Sequence, residues 1–130
     1  MASKPETTFI GSVHKYLKGR IHFEKMHNPY RGGTWDVWYS GPKADLWIEY
    51  KFIVVPVHAM ITPNLSELQL EWGRKRHAEG RNLAVIVGCK AGGMILQDLA
   101  WEPALPNEMF KSALKTRAAI SEWILHRTGG

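Results

Sequence analysis

Two acidic residues and a lysine stand in neighbouring segments whose spacing could build a metal site. They are Asp36, Glu49 and Lys51, and the segment around the last two is strongly apolar. Side chains alternate along a β-strand, so Glu49 and Lys51 would share one face while Tyr50 points to the other. Carboxylates that face each other repel unless a cation lies between them. Hard oxygen ligands favour Mg²⁺ or Mn²⁺ for that cation.

The residues between the two acids predict the hairpin that would bring them together. A turn sequence at 41–44 (Gly-Pro-Lys-Ala) separates two segments rich in aromatic and β-branched residues. If Ser40 lies opposite Asp45, the constant index sum of opposed residues places Asp36 opposite Glu49. The sequence therefore predicts a divalent metal site on one face of a β-hairpin.

The elements that must hold this hairpin follow from the hydrophobic pattern. Predicted helices cover residues 7–17, 66–79 and 108–127. Predicted strands outside the hairpin cover residues 21–26, 82–88 and 94–99. Asn107 is predicted to cap the last helix, and residues 54–63, which are apolar but contain two prolines, are predicted to be a packed connection or a partner surface. The order α-β-β-β-α-β-β-α predicts one α/β domain over residues 1–130, with a mixed central sheet flanked by helices.

The composition indicates the kind of partner. The chain has 130 residues, of which 45% are hydrophobic and 22% charged, as in an ordinary globular domain. Its net charge of +5 favours a polyanion, and some of its six tryptophans could be platforms for bases. Cys89 is the only cysteine, and there is no zinc-ligand pattern. Without a signal-peptide core or a run of roughly 20 apolar residues, the expectation is a soluble cytoplasmic protein that does not bind a membrane.

Together these features resemble the PD-(D/E)XK nuclease superfamily. The likeness lies in an acid on the first helix, a meander carrying Asp36 and then Glu49-Tyr50-Lys51, and a following helix with Gln69. It covers roughly residues 6–96 and is greatest toward small phage and archaeal Holliday junction resolvases and the VRR-NUC branch. Residues 31–35 (Arg-Gly-Gly-Thr-Trp) depart from the Pro-Asp pair of the superfamily's name. The resemblance implies a restriction-endonuclease-like fold.

The resemblance also implies a role for the clustered residues. Asp36 and Glu49 would bind Mg²⁺ or Mn²⁺, with the main-chain carbonyl of Tyr50 as a third ligand. Lys51 would face the attacking water or the scissile phosphate. The alternative is a set of ion pairs on a solvated sheet face, with Lys51 simply pairing with an acid.

Two further site residues each have a structural alternative. Glu6 would be an additional catalytic acid and metal ligand on the first helix, or a carboxylate favoured there by the helix dipole. Gln69 would place its amide near the phosphate or the water. Ser66-x-x-Gln69 is also a capping box, which explains both residues without any catalysis.

Basic residues outside this cluster are candidates for contact with DNA phosphates. They are Arg31, Lys43, Arg74, Lys75, Arg76, Arg81 and Lys90. A solvated helix face explains the densest group, residues 74–76 and 81, equally well.

The function implied by the resemblance is a Mg²⁺-dependent endodeoxyribonuclease that cuts branched DNA in recombination and repair and leaves a 5′-phosphate. A homodimer is expected because two matched cuts need two sites, and the interface would be residues 54–61 or the C-terminal helix. The alternatives are a non-catalytic nucleic-acid-binding module on the same fold, or a nuclease of other specificity: an exonuclease, a nickase or an RNase.

Overall fold

A five-stranded mixed sheet forms the centre of the molecule. The computed structural model describes residues 4–26, 32–54 and 59–129. The strands are β1 (His22–Lys25), β2 (Val37–Ser40), β3 (Asp45–Phe52), β4 (Met60–Ile61), β5 (Leu83–Cys89), β6 (Gly92–Leu96) and β7 (Leu105–Pro106). The helices are α1 (Lys4–His14), α2 (Glu67–Ala78), α3 (Asn107–Ser112) and α4 (Arg117–Arg127). The order across the central sheet is β1-β2-β3-β5-β6.

The β2–β3 hairpin has the predicted register. Ser40 lies opposite Asp45, and the Gly41 amide donates a hydrogen bond to the Ala44 carbonyl at 3.1 Å to close the loop. β3 then pairs in parallel with β5, while the remaining neighbours in the sheet are antiparallel. Every residue of β5 is buried, as its continuous apolar sequence predicts. The predicted mixed sheet flanked by helices is therefore confirmed.

The two faces of the sheet bury separate apolar clusters. One face packs against α1 and α4, and its cluster includes Phe9, Ile10, Val13, Val37, Tyr39, Ile48, Tyr50, Ile86, Ile120 and Ile124. The other cluster includes Trp35, Val85, Val87, Leu96, Trp101, Leu105 and Phe110, with Leu70 and Trp72 of α2 packed against it. The hairpin thus lies between two layers, and alternate residues of β3 face opposite layers.

The start of α2 is fixed by the predicted capping box. The Ser66 hydroxyl accepts from the Gln69 amide at 3.1 Å, and the Ser66 amide donates to the Gln69 side-chain oxygen at 2.9 Å. Gly73 lets the helix approach the core, since a Cβ there would lie 2.6 Å from the Trp35 ring. The helix stops before Gly80, which has the left-handed φ of 77°. These contacts hold Gln69 at a defined position beside the sheet.

The prediction of one C-terminal helix over residues 108–127 is wrong. The chain forms α3 and α4, and between them Lys115 pairs with Gly93 at the start of β6. The Lys115 amide donates to the Gly93 carbonyl at 2.8 Å, and its carbonyl accepts from the Gly93 amide at 3.0 Å. These two bonds require extended backbone at Lys115, which interrupts the helix.

The caps of these two helices also differ from the prediction. Asn107 is the first residue of α3 and not its cap; Pro106 holds the cap position and makes no side-chain hydrogen bond. The cap of α4 is Thr116, whose hydroxyl accepts from the Ala119 amide at 3.0 Å. Proline before the first turn fixes an extended entry to α3, which leaves Asn107 inside the helix.

The proline-containing connection after β3 ends in a small second sheet. β4 and β7 pair there, and Ile61 is buried while Met60 is 51% exposed. Val54 is 78% exposed. Residues 55–58 lie outside the described ranges, so the interface predicted at 54–61 stays a prediction. Of the helices in the described ranges, none combines the length and the apolar character needed to cross a membrane.

Candidate metal centre

The two predicted metal ligands meet at one end of the β2–β3 hairpin. Asp36 immediately precedes β2, and the register that pairs Val37 with Ile48 brings it opposite Glu49. The Asp36 amide donates to Glu49 Oε1 at 3.1 Å, and the Tyr50 amide donates to Asp36 Oδ2 at 3.0 Å. Each carboxylate is thus held by a main-chain amide of the opposing segment.

Lys51 and Gln69 complete the surroundings of Glu49. Glu49 Oε2 accepts from the Gln69 Nε2 at 2.8 Å and lies 3.5 Å from Lys51 Nζ. The Glu49 side chain is only 2% exposed. Gln69 therefore caps α2 with its oxygen, as the capping box predicts, and donates to the Glu49 carboxylate with its nitrogen; its position near a phosphate or water stays a prediction.

The electrostatics of this cluster leave negative charge poorly compensated. Burial, and after it the nearby charge of Asp36, raise the pKa of Glu49 to about 8, while Lys51 opposes the rise. Burial also raises the pKa of Asp36, against the Tyr50 amide hydrogen bond and the charges of Lys51 and Lys25. Since Lys51 is the only cation within ion-pair distance of Glu49 in the described part of the chain, a further cation would stabilise the pair.

The donor atoms present suit a hard divalent cation. Asp36 and Glu49 offer carboxylate oxygens, and Mg²⁺ in proteins is often bound by one or two carboxylates while it keeps several waters. Within residues 4–26, 32–54 and 59–129, no group of three or more His, Cys, Asp and Glu side chains is arranged to hold a metal ion. The residues that are present fit Mg²⁺ or Mn²⁺ by the chemistry of their oxygens.

Glu6 lies in the first turn of α1, as both of its sequence interpretations require. Its charge contributes to the raised pKa of Glu49, so the two side chains are near enough to interact. The helix dipole also favours an acid at this position.

The basic residues predicted to contact DNA divide into two groups. Those on and just after α2 make ion pairs: Arg74 with Glu102, Lys75 with Glu71, and both Arg76 and Arg81 with Glu79. Phosphates would have to compete with these carboxylates. Lys43 and Lys90 lie in loops, and the ion pairs of the described ranges include neither. Arg31 lies outside the described residues.

A row of tryptophans beside the carboxylates was not placed by sequence reasoning. Trp38 and Trp47 are partly exposed, lie opposite each other in the hairpin register, and have ring centroids 6.4 Å apart. Trp72 of α2 extends the row at 5.3 Å from Trp47, and the Arg76 guanidinium lies over its ring at 5.4 Å. Strand alternation gave the available signal, since Trp38 shares its face with Asp36 and Trp47 shares its face with Glu49.

A lysine that the sequence interpretation left unassigned also acts on the centre. Lys25 lies at the end of β1, opposite Val37, and its charge partly opposes the rise in the pKa of Asp36 that burial causes. The neighbouring Met26 amide donates to the Asp36 carbonyl at 2.7 Å. β1 therefore contributes both a main-chain contact and a positive charge to the Asp36 side of the cluster.

The comparisons with known proteins give a fold. No family model and no curated protein matches the chain. Among solved structures, the chain is similar to Archaeoglobus fulgidus Hjc, a Holliday junction resolvase from an archaeal hyperthermophile, with a TM-score of 0.57 and 11% sequence identity. The match covers 91% of this chain and 98% of that chain. This protein therefore has the mixed α/β fold of that resolvase.

Proposed function

We propose that this protein is a metal-dependent endonuclease that hydrolyses DNA phosphodiester bonds, with a preference for branched DNA such as Holliday junctions. The observation that carries the proposal is the meeting of Asp36, Glu49, Lys51 and Gln69 at one end of the hairpin. The fold shared with a resolvase supports it. A buried pair of carboxylates beside a lysine does little to stabilise a fold, because desolvation opposes both charges.

The ion, Mg²⁺ or Mn²⁺, would be held by Asp36, Glu49 and the Tyr50 carbonyl. Amides alternate in direction along a strand, and those of Trp47 and Ile53 donate toward β5 while that of Tyr50 donates to Asp36. The two main-chain groups of one strand residue point to the same side, which directs the Tyr50 carbonyl toward Asp36 as well. When bound, the ion supplies charge stabilisation for the phosphodiester transition state and lowers the pKa of an attacking water.

The remaining side chains would orient the reacting groups. Lys51 would act on the scissile phosphate or the water, since its ammonium is anchored by Glu49 at 3.5 Å. Gln69, fixed by Ser66, would hold the Glu49 carboxylate in one orientation through its 2.8 Å hydrogen bond. Glu6 would add a further acid from α1 and modulate the affinity for metal.

The contribution of these three side chains can be separated by substitution. Lys51→Ala is expected to slow single-turnover cleavage while DNA binding persists; a joint loss of both would instead assign Lys51 to holding the phosphate.

Glu6→Gln is expected to shift the Mg²⁺ dependence of cleavage, and an unaltered curve rejects ligation. Gln69→Ala is expected to slow cleavage as well as lower the melting temperature, because it removes both a cap and a contact to Glu49.

DNA would be held by loop and helix cations, and two sites would act together in a homodimer. Phosphates would be contacted from loops by Lys43 and Lys90, and from α2 and the turn that follows it by Arg74, Lys75, Arg76 and Arg81. Arg31, outside the described residues, is proposed as a further contact. Neutralising Arg76 is expected to flatten the salt dependence of DNA binding; an identical slope contradicts contact.

Light scattering at micromolar concentration tests the dimer, and a monomer would contradict it.

The deciding experiment is a panel of labelled substrates: four-way junction, flap, duplex, single strand and RNA. Each is incubated with Mg²⁺, with Mn²⁺ and with EDTA. The expected result is cleavage of the junction in either metal, with a 5′-phosphate at the cut and no cleavage in EDTA. Binding to the junction without cleavage of any substrate would contradict an enzyme and leave a non-catalytic binding module.

A further inference from the structure

A cavity lies between the start of α1 and the end of β3, outside the carboxylate cluster. Its volume is about 580 Å³. Its lining is apolar at Phe9, Phe52 and Val54 and cationic at Lys4, Lys90 and Arg117. Among the residues that the structure describes, no acidic residue lines it. We refer to it as the α1 cavity.

The cations of the α1 cavity keep their charge available. The Arg117 guanidinium is fixed by neutral groups: it donates to the Ser12 hydroxyl at 2.7 Å and to the carbonyls of Lys90 and Cys89 at 3.3 and 3.4 Å. It also lies over the Phe9 ring at 4.8 Å. The ion pairs formed among the described residues include neither this arginine nor Lys4 nor Lys90. The cavity therefore joins oriented positive charge to an apolar wall.

The α1 cavity is adjacent in the chain to the proposed metal centre. Phe52 follows Lys51 in β3 and points to the opposite face of the sheet, and Lys4 lies in the same helical turn as Glu6. The cavity and the carboxylates therefore lie on opposite faces of the sheet, and residues of the same strand, β3, contribute to both.

We propose that the α1 cavity binds one unpaired nucleotide of the DNA substrate, next to the phosphodiester that is cut. The base would lie against Phe52 and Val54, and a phosphate would contact Lys4, Lys90 and Arg117. This proposal rests on the function proposed above and adds the feature by which unpaired DNA is distinguished from duplex. A base inside a duplex cannot enter the cavity, because it would have to leave its stack.

Charge and volume favour a nucleotide over other occupants. Within the described ranges the lining carries three cations and no acid, which complements a phosphate. A second copy of this chain has a net charge of +5, and it would bring positive charge to a positive rim. The volume lies within the roughly 300–1,000 Å³ of pockets that enclose small molecules. Contact of a base with an aromatic ring does not require a particular base, which suits binding by shape.

The test compares binding of two labelled DNAs in EDTA by fluorescence anisotropy: a duplex with a short single-stranded gap and a continuous duplex of the same length. Val54→Asp places a negative charge on the cavity wall at a position that is 78% exposed, so the fold should tolerate it. We expect about a tenfold loss of affinity for the gapped DNA and less than about a twofold loss for the duplex. Lys90→Glu should lower the affinity for the gapped DNA more than the affinity for the duplex.

The matched control for Lys90→Glu is Lys18→Glu, which makes the same charge change at an exposed position beyond the other end of α1. It should weaken the binding of both DNAs equally, because it reduces only the long-range attraction between the protein and DNA. Equal losses on the two DNAs in Val54→Asp would overturn the proposal. So would a dimer that becomes monomeric in Val54→Asp at unchanged DNA affinity, because the occupant would then be a second copy.

The binding test is independent of cleavage because it is performed without metal. If wild-type protein distinguishes gapped DNA from duplex, and Val54→Asp does not, the cavity proposal holds even when no substrate is cut. If junctions are cut in Mg²⁺ but Val54→Asp binds gapped DNA normally, the proposed function stands and the cavity proposal fails.

Discussion

The two faces of β3 treat buried polar groups in opposite ways. Tyr50 faces α1 and α4, where its hydroxyl lies 2.6 Å from that of Tyr39, which in turn lies 2.8 Å from His14 Nε2. Glu49, the preceding residue, faces α2 and shares its surroundings with a second carboxylate, Asp36. One face contains neutral groups that satisfy each other, whereas the other contains two acids near one lysine.

Burial has different consequences on the two faces. It raises the pKa of Tyr39 and of Tyr50, which keeps both hydroxyls neutral, as they already are near pH 7. It raises the pKa of Glu49 as well, and there it opposes the charged form that metal binding needs. A fold gains specificity from a satisfied polar chain but loses stability from an unsatisfied acid pair. We therefore propose that the hydrogen-bonded chain of His14, Tyr39 and Tyr50 contributes to stability, whereas the acid pair of Asp36 and Glu49 serves the proposed metal chemistry.

The largest effect should come from removing one charge of the acid pair. We expect Asp36→Asn to lower single-turnover cleavage of a junction by at least about a thousandfold, because a metal ligand that stabilises the transition state is worth roughly 4 kcal/mol or more. The melting temperature should be maintained, because the neutral amide of asparagine does not carry the desolvation cost of a buried carboxylate. The matched control is Asp45→Asn, at the exposed far end of the hairpin. Unchanged cleavage in Asp36→Asn would remove Asp36 from the site.

A second effect should appear in the stability of the wild-type protein when metal is added. At Mg²⁺ concentrations about a hundredfold above the dissociation constant, the free energy of unfolding should rise by about 2.7 kcal/mol relative to EDTA. Glu49→Gln should abolish this increase, while Glu24→Gln, an exposed change on β1, should retain it. Thermal denaturation followed by circular dichroism measures both. An equal response in Glu49→Gln would contradict metal binding at this pair.

The α1 side should respond in stability and not in metal binding. Tyr39→Phe removes the middle hydroxyl of this hydrogen-bonded chain. Tyr50 and His14 each lose their hydrogen bond to that hydroxyl. The free energy of unfolding in urea should fall by about 2 kcal/mol, and Mg²⁺ should still raise the melting temperature. Tyr16→Phe, at a side chain that is 49% exposed, is the control. If Mg²⁺ no longer raised the melting temperature of Tyr39→Phe, this would contradict the proposal that the tyrosine chain contributes to stability and not to metal binding.

The smallest effect concerns pH. Burial, with a contribution from the charge of Lys25, lowers the pKa of His14 from 6.5 to about 4. At His14 the unfolded chain therefore binds a proton between about pH 6.5 and 4 that the folded protein does not, so the contribution of His14 to stability falls as the pH falls through this window. The loss should be about 1 kcal/mol, since the imidazole is partly open to solvent. Urea titrations of wild type and His14→Gln from pH 7 to 4.5 measure it, and identical pH slopes would contradict the assignment.

The hairpin and its acid pair were predictable because local rules determine them. A four-residue loop and strand alternation fix the register, and the register brings Asp36 to Glu49. The capping box of Ser66 and Gln69 was likewise visible in four consecutive residues. That the free nitrogen of Gln69 would reach Glu49 was not visible, because it depends on how α2 packs against β3.

Features that depend on distant contacts escaped the sequence. The break between α3 and α4 exists because Lys115 pairs with Gly93, and no local pattern near residue 115 indicates a strand partner. Gly92 permits this approach, since a Cβ there would lie 2.3 Å from the Lys115 carbonyl oxygen. The hydrogen-bonded chain from His14 through Tyr39 to Tyr50 also joins three separate elements. Periodicity identifies a buried face, but it does not identify which side chains meet on it.

The alternation along β3 carries a consequence for how this chain can change length. One residue inserted into the strand before Glu49 would turn its carboxylate into the apolar layer beneath α1 and aim a hydrophobic neighbour at Asp36. Inserting two would return the acid to its own side, displaced by one pleat. Parity, rather than the number of residues, therefore decides whether an insertion in this strand keeps the acid on the side of its partner.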